Sequence, residues 1–312
     1  MLFARCGIQL HAKSVAYAAT SLGAGLIGYV FTFYYVKVYI SRFHVTEAWF
    51  QLAQVIFMIW NAVNDPLFAC LQDNARSWPF LRSRRHSILY GAPLFVAGFV
   101  LPWFPWVDYE SSPPSWIAGV QLTVVLCFYD TLFTFVGLAQ CALFAELSSS
   151  QSDRVRLIRY SQVAGLLGSV SVLICETTSS GIEHYTRFQM TCIGLALCAG
   201  VCFIYTGLNA DTPFDRVSPT DDFAKDPSEH KQLTGYSSVW MVLRQTRQIF
   251  AQQSFVSFVL VNFCQVYHST FLGNFTNIIG DHLMGTGISP SVKSGLYGSL
   301  FVIPQVLCSF VW

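Results

Sequence analysis

A largely apolar stretch over residues 47–71 limits what this chain can fold into more than any other feature. It is long enough to cross a hydrocarbon layer as one helix, which takes about 20 residues. Yet it carries Gln54, Asn61, Asn64 and Asp65, with Pro66 directly after. Positions spaced i, i+3, i+4 and i+7 share a helical face, so these four polar residues fall on one stripe. A carboxylate inside a bilayer costs roughly 2.5–3.5 kcal/mol on insertion scales, so it turns toward a cavity or a partner. Pro66 removes a backbone donor and loosens the helix beside that carboxylate. A polar, kinked stripe in a spanning helix reads as the wall of a pathway. The alternative is that Asp65 pins a neighbouring helix, but one polar residue would suffice for that.

The rest of the chain has the same character. Of its 312 residues, 53% are hydrophobic and 11% charged, against about 25% charged in soluble domains. An all-α integral membrane protein follows. A net charge of +1 leaves no footprint for nucleic acid. The ten cysteines form no Cys-x-x-Cys pair. Cys198 and Cys202 share a helical face, but no His or carboxylate joins them, so no metal site is expected. There is neither a nucleophile set nor a glycine-rich phosphate loop, so an enzyme is not expected.

Eight spans are expected, over residues 14–40, 47–71, 88–107, 116–145, 160–175, 188–208, 255–279 and 292–312. The first is too long for a signal-peptide core. Tyr34, Tyr35 and Tyr39 fit an interfacial aromatic belt, and Trp103 and Trp106 interfacial anchors. The fifth span is the shortest, with Arg154, Arg156 and Arg159 in the loop before it. The fourth contains a second deep carboxylate, Asp130, with Thr134, Gly137 and Cys141 along the same stripe. Both carboxylates should face the interior of the first six helices. The seventh carries Gln265 and His268 as candidates for the pathway, although a His so placed more often hydrogen-bonds across helices.

The chain divides into a six-helix bundle (1–208), a polar central loop ending in an amphipathic segment (209–253) and two further helices (254–312). Of the 18 Lys and Arg, fourteen fall in the N-terminal tail and the second, fourth and sixth connections. Only Lys37, Arg42, Arg187 and Lys293 fall on the other side. The positive-inside rule then places both termini and the central loop in the cytoplasm. The sequon at Asn274 lies too close to the membrane for glycosylation.

Two motifs carry a resemblance. Trp60-Asn61-Ala62-Val63-Asn64-Asp65-Pro66-Leu67-Phe68 resembles the second-helix signature of the glycoside–pentoside–hexuronide:cation symporters of the major facilitator superfamily. Phe128-Tyr129-Asp130-Thr131-Leu132-Phe133-Thr134, followed by Leu143-Phe144-Ala145-Glu146-Leu147 and Asp153-Arg154, resembles that family's fourth helix and the loop after it. With Tyr34-Tyr35-Val36, the likeness is nearest to the transmembrane protein 180 branch. The resemblance implies a major facilitator fold, with the N-terminal six-helix bundle complete and two helices of the second half. It implies a twelve-span architecture of which eight are present, which reads as a shortened form.

By the same resemblance the chain is expected to be a multi-pass secondary transporter of a carbohydrate or other small polar solute. The plasma membrane is its expected location. Asn61, Asn64, Asp65, Asp130 and Thr134 would serve cation coupling, with Na⁺ or H⁺ as the ion and no other cofactor. Gln54, Gln265 and His268 would line the pathway. Arg82, Arg84 and Arg85 would form a cytoplasmic gate, although positive-inside orientation already accounts for them. The sequence departs from the family at Asn61, usually a carboxylate, and at Lys37, Ala69 and Gly137. Fewer anionic oxygens weaken Na⁺ coordination. Two alternatives therefore stand: a non-transporting receptor or partner subunit, and a transporter of lysolipid-like molecules. The expected partners are the bilayer, a small solute and, because of the shortened chain, a homo- or hetero-oligomeric neighbour.

Overall fold

The computed structural model describes residues 11–74, 81, 83–109, 114–148, 150–180, 182–212, 244, 248, 250–284, 292 and 296. Seven long helices are described: α1 (Ala12–Ser41), α2 (Glu47–Asn74), α3 (Arg84–Val100), α4 (Ser115–Leu147), α5 (Gln151–Ser179), α6 (Tyr185–Asn209) and α7 (Gln253–Met284). Each contains a stretch long and apolar enough to cross a membrane. Arg82, most of the central loop and amphipathic segment, and the expected eighth span lie outside the described residues, save Val292 and Leu296, which are helical.

The chain forms two compact units, residues 1–214 with 274–312, and residues 215–273. The first is a bundle with an aromatic centre. Phe31, Tyr34, Tyr35 and Tyr39 from α1 meet Phe95, Phe99, Trp103, Tyr129 and Phe188, all buried. Phe31 stacks on Tyr129 with ring centroids 3.8 Å apart. Tyr34, Tyr35, Tyr39 and Trp103 are therefore core residues, not interfacial anchors; Trp106 remains half exposed. Their hydroxyls explain why tyrosine suits the place: Tyr34 donates to the buried Glu176 at 2.6 Å, so the ring is buried and its polar end is satisfied.

The packing has an internal repeat. α1 packs on α5 and α6, α4 packs on α2 and α3, and α3 meets α6. Exchanging α1 with α4, α2 with α5 and α3 with α6 reproduces the pattern. Three crossings separate the members of each pair, so the two three-helix units run in opposite directions through the membrane.

Two spans differ from their expected bounds. α5 has 29 residues and takes in Arg154, Arg156 and Arg159. It starts early because Ser150 accepts from the Asp153 backbone N–H and caps it. At 1.5 Å per residue it is about 44 Å long, so its first turns project beyond the hydrocarbon, where arginines are tolerated. The shortest span is α3, with 17 residues, continued by a 3-10 turn at Leu101–Trp103. Between α3 and α4, Gln121 ties the connection down by accepting from Tyr109 at 2.6 Å and donating to the Phe104 carbonyl at 2.8 Å. Burial pushes the Tyr109 hydroxyl pKa above its ordinary value.

Candidate functional site

The seam between α2 and α4 concentrates the polar chemistry of the first unit. Asn64 is wholly buried, and its Nδ2 donates to Asp130 Oδ2 at 3.0 Å. Asp130 is 8% exposed. One turn along α4, Thr134 Oγ1 donates to Asp65 Oδ1 at 3.0 Å. One turn earlier along α2, Trp60 Nε1 donates to Thr131 Oγ1 at 3.1 Å. The spacing of the two motifs explains this ladder. Residues 60 and 64 on α2, and 130, 131 and 134 on α4, lie within about one turn of each other, so each helix offers adjacent rungs.

Asp65 does not point into the bundle as expected. It is exposed, at the edge of the seam, and reaches back to Thr134. The reason is geometric: successive helical residues are about 100° apart. With Asn64 aimed at Asp130, its neighbour Asp65 must swing toward the open side of α2. Asn61 is also exposed there and makes no hydrogen bond among the described residues. Gln54 is half-buried beside the Tyr35 hydroxyl.

The seam holds unfilled capacity. Asn64 Oδ1 is buried without a hydrogen-bond partner. No ion pair to Asp65 or Asp130 occurs among the described residues. The Tyr129 hydroxyl, next to Asp130 in sequence, is likewise buried and unpartnered. Two carboxylates, an orphan amide oxygen and the Thr134 hydroxyl meet there, with no basic side chain paired to them among the described residues. Such a set takes a positive charge, as a proton or a small hard cation. The group falls short of three His, Cys, Asp or Glu, so oxygens from Asn and Thr would have to complete any coordination.

The other sequence candidates lie elsewhere. Arg84 approaches Glu146 on α4 at 3.7 Å and donates to the Gln72 carbonyl at 3.2 Å. Arg85 pairs with Asp211, beyond the end of α6. Both therefore fasten helix ends within the first unit. Gln265 and His268 lie exposed on α7 in the second unit, without hydrogen bonds among the described residues. The cross-helix bond expected of His268 is not formed there. Asn274, in the first unit, is half-buried and donates to Tyr35 at 3.2 Å, which engages the sequon's amide.

Among the polar contacts that sequence reasoning missed, two tie α1 to its neighbours. The Tyr34–Glu176 pair was hidden because the fifth span was expected to end at Cys175, leaving Glu176 in a loop. A second cluster joins α1, α4 and α5: Gln140 donates to Ser21 at 2.7 Å, and Ser21 meets Ser161 at 2.6 Å. Serines among glycines gave no periodic signal to mark it.

Comparison with known proteins supplies the lineage. Residues 16–263 match the family described as MFS/sugar transport protein. The chain is 29% identical over 312 residues to transmembrane protein 180 of Gallus gallus, covering 94% of this chain and 58% of that protein. Transmembrane protein 180 of Mus musculus gives 29% over 313 residues with the same coverage. Sodium-dependent lysophosphatidylcholine symporter 1 of Mus musculus is 29% identical over 112 residues, 36% of this chain and 20% of that protein. The chain thus spans a little under three-fifths of the length of the transmembrane protein 180 relatives. No solved structure matches it. The matched region runs from α1 into α7 and includes the whole α2–α4 seam, so this chain is a multi-pass membrane protein belonging to the MFS/sugar transport protein family.

Proposed function

We propose that the chain forms one half of a secondary transporter that couples a cation to the movement of a small polar solute, with carbohydrate as the substrate class. The observation that carries this reading is the α2–α4 seam. Asp130 is buried against Asn64, whose carbonyl oxygen has no partner, and Asp65 stands at the edge, held by Thr134. Asp130 would bind the ion. Asp65, open to the outside of the bundle, would pass it to or from the pathway. With Asn61 in place of a carboxylate, the seam holds two anionic groups, which suits a proton at least as well as Na⁺. Asn61 and Gln54 would then face solute rather than ion.

Substrate sites in this architecture lie between two helical halves that rock about them. The exposed face of α2 is the surface on which a second half would close. That half would come from further helices, from a second copy or from another subunit. Both termini and the segment 209–253 are taken to be cytoplasmic in a plasma-membrane protein, on the basic-residue asymmetry. Similarity to a lysophosphatidylcholine symporter over 112 residues favours a second reading in which the solute is a lysolipid.

Uptake into vesicles from cells expressing the chain tests both. Labelled sugars and lysolipids are presented under an inward Na⁺ gradient, an inward proton gradient, or neither. Gradient-driven uptake of one class, lost in Asp65→Asn at equal expression, is the expected result. Uptake indifferent to both gradients, or to Asp65→Asn, would end the coupling role of the seam.

A further inference from the structure

A second polar site lies at the end of the bundle where α1 begins, α4 ends and α5 begins. A cleft of about 350 Å³ opens there. Its rim carries His11, Lys13 and Arg156, and its floor is made by Leu147 and Leu157, the latter buried. Ser14 also lines it. That serine is only 5% exposed, yet its hydroxyl has no hydrogen-bond partner among the described residues. That hydroxyl keeps its hydrogen-bonding capacity free for a group in the cleft.

The electrostatics point one way. α1 starts with no side-chain cap and no acidic residue in its first turn. The N–H groups of that turn have no partner within the helix, and the helix dipole favours negative charge beside them. α5 starts alongside but is already capped by Ser150 and Asp153. Asp153 is the one carboxylate on the rim, and it is engaged. Ser150 donates to its Oδ2 at 2.7 Å, and its Oδ1 lies 3.5 Å from Arg156. Glu146, near the end of α4, pairs with Arg84 instead. Two permanent cations and an uncapped helix start therefore face one committed carboxylate. Arg154 and Arg159 lie exposed along the same stretch of α5.

We propose that this cleft binds the phosphate of an anionic phospholipid. The phosphate would accept from Lys13, Arg156, Ser14 and the first N–H groups of α1, and the glycerol and upper acyl carbons would rest on Leu147 and Leu157. A free phosphate satisfies only the rim. The apolar floor, at the point where spanning helices leave the hydrocarbon, selects a lipid. Nothing in this site involves Asp65 or Asp130, so the lipid would act on the bundle end and not on the cation seam.

The test uses the purified full chain in a neutral detergent, titrated with short-chain phosphatidylglycerol, short-chain phosphatidylcholine or inorganic phosphate. Binding is read by thermophoresis. Saturable binding of phosphatidylglycerol is expected, with much weaker binding of the other two. Lys13→Gln should weaken it about fivefold, the effect of removing one near-surface cation. Lys13→Gln with Arg156→Gln should weaken it further, and Asp130→Asn should leave it unchanged. Arg156 supports the start of α5, so Lys13→Gln and Ser14→Ala, which keep that pair, carry the result if the double variant unfolds. Equal affinity for inorganic phosphate would overturn the lipid assignment. Phosphatidylglycerol binding unaltered by Lys13→Gln and Ser14→Ala would overturn the site.

Discussion

The α1–α5 seam and the α2–α4 seam occupy equivalent places in the internal repeat, yet they are built from different materials. At the first, Gly25 and Gly168 bring two backbones together, so that a Cβ on Gly168 would stand 2.9 Å from the Gly25 Cα. Its polar contacts are those among Ser21, Ser161 and Gln140 and that of Tyr34 with the buried Glu176 carboxylate. At the second, two carboxylates are held by an amide and a hydroxyl, and Gly137 on α4 has nothing within 4 Å of where its Cβ would lie. α2 also leaves most of its outer surface open, including Met58, Ile59, Val63 and Leu67. One seam is closed by steric fit with its carboxylate buried, and the other keeps a carboxylate accessible at its edge. In a bundle made from two copies of one plan, that difference separates the part that holds the fold from the part available for function.

The largest effect that would break this comparison is expected at the closed seam. Gly168→Ala places a methyl group against backbone atoms that cannot yield, so α1 and α5 must separate. The cost is about 3 kcal/mol, the upper end for overpacking. Thermal unfolding of the purified chain should show it as a marked fall in Tm or a loss of folded protein. Gly137→Ala is the control: with open space and better helix propensity, it should be neutral or stabilise by up to ~1 kcal/mol. Equal effects at the two glycines would remove the distinction.

Next in size is Asp130→Ala. It leaves the fully buried Asn64 with neither end of its amide paired, at a cost of about 1–3 kcal/mol. Asn64→Ala in the Asp130→Ala background should then cost little more, and a double-mutant cycle measures that coupling. Additive losses would mean that the two side chains do not act as a pair. Smaller again, Trp60→Phe removes the bond to Thr131 and should cost about 0.5–1.5 kcal/mol, read from the same melts.

How much of this was visible in the sequence follows from the same two seams. The carboxylates of α2 and α4 stand out because charge is rare in lipid, but the sequence did not show that Asn64 meets Asp130 and Thr134 meets Asp65. What could not be read was which of two adjacent residues points inward. Asn64 and Asp65 differ by 100° of rotation, and only the packing of α2 on α4 settles it. The closed seam was partly legible. The glycines of α1 permit close approach, but Gly168, which Gly25 meets, sits on a helix whose arginines disguised its length. Tyr34, Tyr35 and Tyr39 were misplaced for a related reason. Tyrosine near the end of a span fits an interface and a polar core equally, and Glu176, the partner that decides for Tyr34, lies far away in the sequence. The pairing of α1 with α4, α2 with α5 and α3 with α6 left no trace in the residues that could be followed, because the two units diverged in the seams that define them.

The smallest structural change is the most informative. Asp130→Asn keeps the size of the side chain and an oxygen that can accept from Asn64, so the fold should survive with little loss. The measurement is the Tm of the purified chain from pH 5 to 8, in NaCl and in choline chloride, for the wild type, Asp130→Asn and Ser21→Ala. If the α2–α4 seam holds the coupling cation, the wild type shows a Tm that depends on Na⁺ or on pH through this range. Asp130→Asn should lose that dependence, and Ser21→Ala at the closed seam should lower Tm while keeping it. A cation response that persists undiminished in Asp130→Asn, or that disappears in Ser21→Ala, would contradict the assignment of function to one seam and of structure to the other.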